Sequence, residues 1–171
     1  MASELLTQVI AKHHDVRAFA CARPELTDYL KKYARQTSSR GGARTFVTVP
    51  EDDRNIVIGF YTLVASEMTA DAVPADLTKG LGRYPLPGFR LARLAVDGRY
   101  AGRGLGRRLF LDAGIRCLQA AEHVGAAAMF IDAKDAEAAR FYRQFGAQSL
   151  PDRPLVLVLS LATVRAAIGL D

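Results

Sequence analysis

Residues 98–108 read GRYAGRGLGRR and follow the apolar run FRLARLAVD. Gly102, Gly104 and Gly106 alternate there among Arg99, Arg103, Arg107 and Arg108. A strand that passes through such a turn into a helix leaves several backbone N–H groups pointing outward with the helix dipole behind them, an arrangement that binds phosphate. Glycine lets a ligand approach the backbone and permits positive φ. Arginines in the first helical turn oppose the dipole, where a purely structural helix start favours acids. A bound anion would resolve that conflict; a structural glycine loop is the competing reading. The spacing is not GxxxxGK(S/T), so a nucleoside-triphosphate loop is excluded. Nor is it GxGxxG with a later acid on the following strand, as a dinucleotide fold requires.

The elements that must position this turn are legible in outline. Pro24 suits a first helical turn, and Leu26, Tyr29, Leu30, Tyr33 and Ala34 repeat at helical spacing until TSSRGGA breaks the helix. Residues 44–50 and 55–68 read as strands joined by the charged turn EDDR, and 70–88, rich in proline and glycine, as a loop with room for a short helix. A strand over 89–97 precedes the glycine turn, and a helix over 104–123 follows it. Residues 126–133 form a short apolar strand. Asp135 caps a helix that Gly146 ends, and 154–164 closes the chain as a strand. The class is mixed α/β in a single domain spanning 1–171.

With 171 residues, half of them hydrophobic, the chain has an ordinary globular composition. No apolar run approaches the roughly 20 residues of a membrane span, and the charged N-terminus does not read as a secretory signal; the expectation is a cytoplasmic protein without a membrane partner. Cys21 and Cys117 lack ligand spacing and are expected as buried free thiols, and His13, His14 and His123 make no metal pattern. The net charge is +5, and from Lys79 to Arg108 eight basic residues face one acid, Asp97. A second basic group, Lys31, Lys32, Arg35, Arg40 and Arg44, lies in the N-terminal third. Such clustering suits a polyanionic ligand or a solvated surface.

RLAVDGRYAGRGLGRRLF resembles motif A of the GNAT superfamily of N-acetyltransferases, whose loop Q/R-x-x-G-x-G/A holds the pyrophosphate of acetyl-CoA. The fold this implies is a central mixed, splayed β-sheet flanked by helices. Aligned on the helix start, the loop is Ala101, Gly102, Arg103, Gly104, Leu105 and Gly106, with Ala101 where Gln or Arg is usual; Arg99 to Gly104 offers a second register. The resemblance assigns Arg107 to the same phosphate site and the pantetheine arm to the backbone of Leu94, Ala95 and Val96. DAKDAEAARFYRQFGA resembles the superfamily's second signature, a strand ending beside the cofactor at Ala133 and a helix containing FY-x-x-x-GF, here with Ala147 in the last place. By that match Tyr142 is the general acid that protonates the departing thiolate; a core tyrosine is the alternative, because Ala138, Phe141 and Phe145 already form an apolar stripe. The chemistry is sound, since a phenol near pKa 10 stays protonated at neutral pH and can donate to a thiolate of pKa about 8.5.

Many members of the superfamily place a glutamate base in the motif A strand, but FRLARLAVD has none, and Asp97 stands at its far end as a candidate turn residue. Deprotonating a lysine of pKa about 10.4 at pH 7 costs roughly 4–5 kcal/mol, whereas an α-amine near 7.7–8.0 costs only about 1–1.5 kcal/mol. An α-amine is therefore the expected acceptor.

A narrower resemblance runs from about residue 13 to 165. FACARPELTDYLKKYARQ looks like the N-terminal region of toxins of the TacT/AtaT type, with Phe19, Cys21, Leu26, Tyr29, Leu30, Arg35 and Gln36 matching and Ala22 replacing the usual glycine. The resemblance implies transfer of acetyl to the α-amine of an aminoacyl-tRNA, which blocks translation. It also implies a ribbon-helix-helix antitoxin and a homodimer. Lys31, Lys32, Arg35, Arg90 and Arg93 are the candidate tRNA contacts, each equally readable as solvated or antitoxin-facing, with cofactor phosphate a further option for Arg90 and Arg93. Two alternatives stand beside this reading: a GNAT enzyme acting on a small-molecule amine or a protein N-terminus, and a non-catalytic acyl-CoA-binding module. The preferred aminoacyl-tRNA is not legible.

Overall fold

The structure is a computed structural model and describes residues 4–169. Seven strands pair in the order β1-β2-β3-β4-β5-β7-β6. They are β1 (Leu5–Val9), β2 (Arg44–Pro50), β3 (Gly59–Met68), β4 (Leu86–Val96), β5 (Ala128–Asp132), β6 (Gln148–Ser149) and β7 (Val156–Ser160). The helices are α1 (Pro24–Lys32), α2 (Ala34–Ser39), α3 (Ala75–Thr78), α4 (Leu105–His123), α5 (Ala136–Arg143) and α6 (Leu161–Ala167). The β4–β5 pair is parallel, while β1–β2, β2–β3, β5–β7 and β6–β7 are antiparallel, so the sheet is mixed as expected. The chain forms two compact units, Met1–Val64 with Ala92–Ala113, and Ala65–Leu91 with Gly114–Asp171.

In the first unit, Pro24 occupies the first turn of α1, and the Thr27 hydroxyl accepts the Cys21 N–H at 3.1 Å ahead of it. Leu26, Tyr29 and Leu30 turn inward and pack with Phe19, Val47, Val49, Phe60 and Ala95. The helix breaks at Tyr33, not at TSSRGGA. Tyr33 adopts φ −125°, and residues 37–39 belong to α2, which ends before Gly41 at φ 77°. β1 was not foreseen, because LLTQV carries no clean alternation; its register on β2 (Leu5↔Pro50 to Val9↔Phe46) supplies what its own pattern lacks. The strand expected from 55 starts at Gly59: the Ile58 N–H still reaches the Thr48 carbonyl of β2, but the Val57 N–H donates to the Asp15 carbonyl and Ile56 bridges Asp15, so the residues before 58 leave the β2 ladder.

In the second unit, Met68, Val73, Leu86, Ala128, Phe130, Leu150 and Val158 form the core. β4 begins three residues earlier than its apolar run because Gly88 lies flush against β5, where a Cβ would collide with the Ala128 carbonyl oxygen. The strand expected over 154–164 ends at Ser160. The Ser160 hydroxyl accepts the Thr163 N–H at 3.0 Å and caps α6, which buries Leu161 and Val164. The loop over 70–88 holds the short helix α3, as anticipated. Cys117 is buried and its thiol is pushed up to about 12 by desolvation. Cys21, expected as buried, is half-exposed and shares the Thr27 hydroxyl's surroundings. Among the described residues no helix is long and apolar enough to cross a membrane, and no group of three His, Cys, Asp or Glu side chains could hold a metal ion.

Candidate active site

The glycine turn lies in the first unit, between β4 and α4. Asp97 fixes its entry: the side chain, 2% exposed, accepts the N–H of Ala20 at 3.2 Å and that of Arg99 at 2.8 Å, and pairs with the Arg99 guanidinium at 2.8 Å. The Gly98 N–H donates to the Ala20 carbonyl at 2.8 Å, so two bonds tie the turn to the segment after buried Phe19. Burial alone would raise the Asp97 carboxyl, but its bonds to Arg99 and Ala20 outweigh burial and hold it below the usual range. Asp97 therefore serves the turn, its carboxylate oxygens taken up by Arg99 and the Ala20 N–H.

Replacing Asp97 with Ala is expected to cost about 1–3 kcal/mol at neutral pH, because the N–H groups it satisfies lose a charged acceptor. The depressed folded-state value means this stabilisation is present above pH 3.8 and disappears as pH falls through the lower folded value. Urea melts at pH 7 and pH 3 should show the wild-type and variant curves converging at the acidic end.

Beyond Asp97 the backbone opens. Gly102 and Gly104 take φ of 75° and 80°, and no heavy atom lies within 4 Å of where a Cβ would stand on either. Glycine is thus required there by conformation rather than by packing, and the turn stays accessible. Gly106 is different: it sits in the first turn of α4 without positive φ, its Cβ position 3.9 Å from Val96. The helix's first bond runs from the Arg108 N–H to the Gly104 carbonyl at 3.2 Å, which leaves the amides of Leu105 and Gly106 without helical acceptors. Leu105 and Leu109 bury the opposite side of the helix. Ala101 and Arg103 are exposed, and the Arg103 guanidinium lies over the Tyr100 ring at 5.4 Å. Arg107 is exposed, while Arg108 donates to the Leu5 carbonyl at 3.1 Å and so docks β1. Open amides, left-handed glycines and nearby cations fit a pyrophosphate.

Ala95 is buried, and Leu94 and Val96 are half-buried. β4 pairs with β5 as far as Leu91↔Ile131 and then continues to Val96, whereas β5 ends at Asp132. Arg93 is half-buried with its guanidinium 3.7 Å from the centre of the Tyr29 ring, a stack that the apolar reading of Tyr29 did not reveal. Arg90, in the second unit, is committed: it pairs with Asp132 at 2.6 Å and leans over the Phe130 ring. That partner lies 42 residues away, and the sequence offered no signal for it.

Tyr142 also lies in the second unit. Asp135 caps α5 through the Ala138 N–H at 2.7 Å, and Gly146 at φ 96° ends it, both as anticipated. The buried stripe is Ala139 and Tyr142, not Ala138, Phe141 and Phe145; the two phenylalanines are half-buried and stack edge-on at 5.2 Å. Tyr142 is 5% exposed, and desolvation raises its hydroxyl well above the ordinary tyrosine value. Ala133 is buried and gives its N–H to the Leu155 carbonyl at 2.8 Å.

The model of the acetyltransferase (GNAT) domain matches residues 43–146. A "tRNA-acetylating toxin" of Mycobacterium tuberculosis is 39% identical over 160 residues, covering 94% of each chain. Among solved structures, AtaT complexed with acetyl-methionyl-tRNAfMet superposes with a TM-score of 0.88 at 22% identity, over 96% of this chain and 99% of that one. A mutant AtaT bound to acetyl-CoA and the C-terminus of the antitoxin AtaR gives 0.82 at 21% identity, over 97% and 99%. The structural likenesses establish the fold. The domain match takes in the glycine turn and Tyr142 alike, the relative extends it nearly end to end, and this chain belongs to the GNAT acetyltransferase family.

Proposed function

We propose that this chain is a single catalytic domain that transfers acetyl from acetyl-CoA to the α-amine of an aminoacyl-tRNA, and that it thereby acts as a translation-blocking toxin in the cytoplasm. The observation that carries this reading is the end-to-end likeness to the mycobacterial tRNA-acetylating toxin. A ribbon-helix-helix antitoxin and a homodimeric state belong to the same proposal.

Acetyl-CoA, when bound, supplies an acetyl group activated as a thioester. The amides of Gly104, Leu105 and Gly106, with the open backbone of Gly102, would hold its pyrophosphate, and the exposed Arg103 and Arg107 would add charge. The backbone of Leu94, Ala95 and Val96 would line the pantetheine arm. Tyr142 keeps its phenolic proton across neutral pH and is the group able to protonate a thiolate. With Asp97 committed to Arg99 and Ala20 and no glutamate on β4, the chain favours an amine that loses its proton cheaply, which is the property of an aminoacyl ester's α-amine.

The test supplies radiolabelled acetyl-CoA with charged tRNA, uncharged tRNA, a polyamine and an N-terminal peptide. Label is expected on charged tRNA alone, recovered as an N-acetyl amino acid after ester hydrolysis. Transfer to the polyamine or peptide without tRNA dependence would reverse the substrate assignment; cofactor binding with no transfer would make the chain a sensing module.

A further inference from the structure

The first unit contains a pocket of about 540 Å³ that the cofactor turn does not use. It opens where β1 ends, and Lys12, Arg35, Gln36, Ser39 and Arg44 line it beside the apolar Val9 and Ile10. The pocket holds three cations and no acid. Arg35 gives one N–H to the His14 carbonyl at 3.0 Å, and Arg44 gives one to the Ser38 carbonyl at 3.4 Å. Backbone carbonyls therefore hold both guanidinium groups without neutralising them. Among the described residues none of the three cations has a carboxylate partner within 4.0 Å. Arg35, which the sequence offers as a candidate tRNA contact, lines this cavity beside Gln36 together with Lys12 and Arg44.

The position separates this feature from the cofactor turn. Arg108, in the first turn of α4, reaches Leu5 at the start of β1, whereas the pocket begins at Val9. At about 3.3 Å per residue, that is roughly 13 Å along the strand. Planar guanidinium forks match phosphate oxygens two at a time, and the side-chain amide of Gln36 adds a neutral donor suited to ribose and phosphate oxygens, while the Ser39 hydroxyl donates to the Gln36 carbonyl at 3.0 Å and can only accept. Exposed Lys31 at the end of α1 carries positive charge along the chain toward Arg35, which suits a ligand with repeated charge, whereas Lys32 pairs with Asp28 at 3.7 Å. We propose that Lys12, Arg35 and Arg44 form a phosphodiester-binding subsite that grips the RNA body of the substrate away from the acetyl-transfer site. This rests on the reading of the substrate as a charged tRNA.

The experiment measures binding of uncharged tRNA by fluorescence anisotropy across a salt series, for wild type, Arg35→Lys and the double variant Lys12→Glu/Arg44→Glu. Each phosphate contact removed should lower the slope of log K against log salt by about 0.7–0.9, so the double variant should lose about 1.4–1.8. Arg35→Lys should keep the wild-type slope while binding more weakly. Acetyl-CoA titrations should be unchanged in all three, which separates a local loss from a general one. If the double variant does not fold, Lys12→Gln/Arg44→Gln removes the charges without adding new ones and reads the same slope. A double variant with wild-type slope and affinity overturns the subsite while the RNA reading stands. A wild type that binds no tRNA overturns both. Loss of binding to poly-glutamate with an unchanged tRNA slope would give the pocket to an acidic peptide instead.

Discussion

Tyr142→Phe should slow acetyl transfer by about 10²- to 10⁴-fold, the usual contribution of a positioned general acid, while acetyl-CoA still binds. The substitution removes one oxygen from a ring that is 5% exposed, so the fold should survive it with a change of about 1 kcal/mol or less. A core tyrosine with no chemical role would show the same small stability change and an unaltered turnover, and single-turnover kinetics beside a thermal melt distinguishes the two. The pH profile adds a second check. Desolvation raises the Tyr142 hydroxyl, so the acid remains protonated above pH 10. The wild-type rate should therefore climb as the acceptor amine deprotonates near pH 7.7–8.0 and then stay level to about pH 9, with no alkaline limb from tyrosine.

Gly104→Val should weaken acetyl-CoA binding by about tenfold or more, equivalent to at least about 1.4 kcal/mol. Gly104 holds φ at 80°, where an L side chain costs about 1–2 kcal/mol and a β-branched one more. The space around its Cβ position is open, so the penalty is conformational; relaxing it would turn the amides at the start of α4 away from a common point. Melting should fall by about 2–8 °C for a chain of this size. Gly106→Ala is the informative contrast. Gly106 is helical, its Cβ position is 3.9 Å from Val96, and alanine should stabilise α4 by about 0.5–1 kcal/mol. Calorimetric titration of both variants would show whether the left-handed glycine, rather than glycine content, is what the ligand requires.

Features set by neighbouring residues were legible in the sequence; those set by distant partners were not. The turn between β4 and α4 could be read because Gly102, Gly104 and the arginines lie within a few residues of a helix start whose chemistry is local. Asp135 and Gly146 marked the ends of α5 for the same reason. By contrast, LSLATV continues a strand pattern past Ser160, and only the hydroxyl's bond to the Thr163 N–H makes it a helix. β1 depends on β2 for its definition. Tyr142 looked one position off an apolar stripe because helical spacing does not say which side of α5 meets β6 and β7; the structure buries Ala139 and Tyr142. Charge counting placed Arg90 and Arg93 together, yet one is neutralised by Asp132 and the other lies on Tyr29. The pocket joining Lys12 to Arg35 and Arg44 requires the end of β1, α2 and the start of β2 to meet, which no spacing rule encodes.

The buried sulfur on α4 bears on how this enzyme can be handled. Desolvation holds the Cys117 proton up to about 12, so the thiol form dominates at pH 7, and alkylating reagents attack the thiolate. Preparation without reductant should leave Cys117 intact. Maleimide labelling at that position becomes a clock for opening of the helix, while half-exposed Cys21 takes up reagent first.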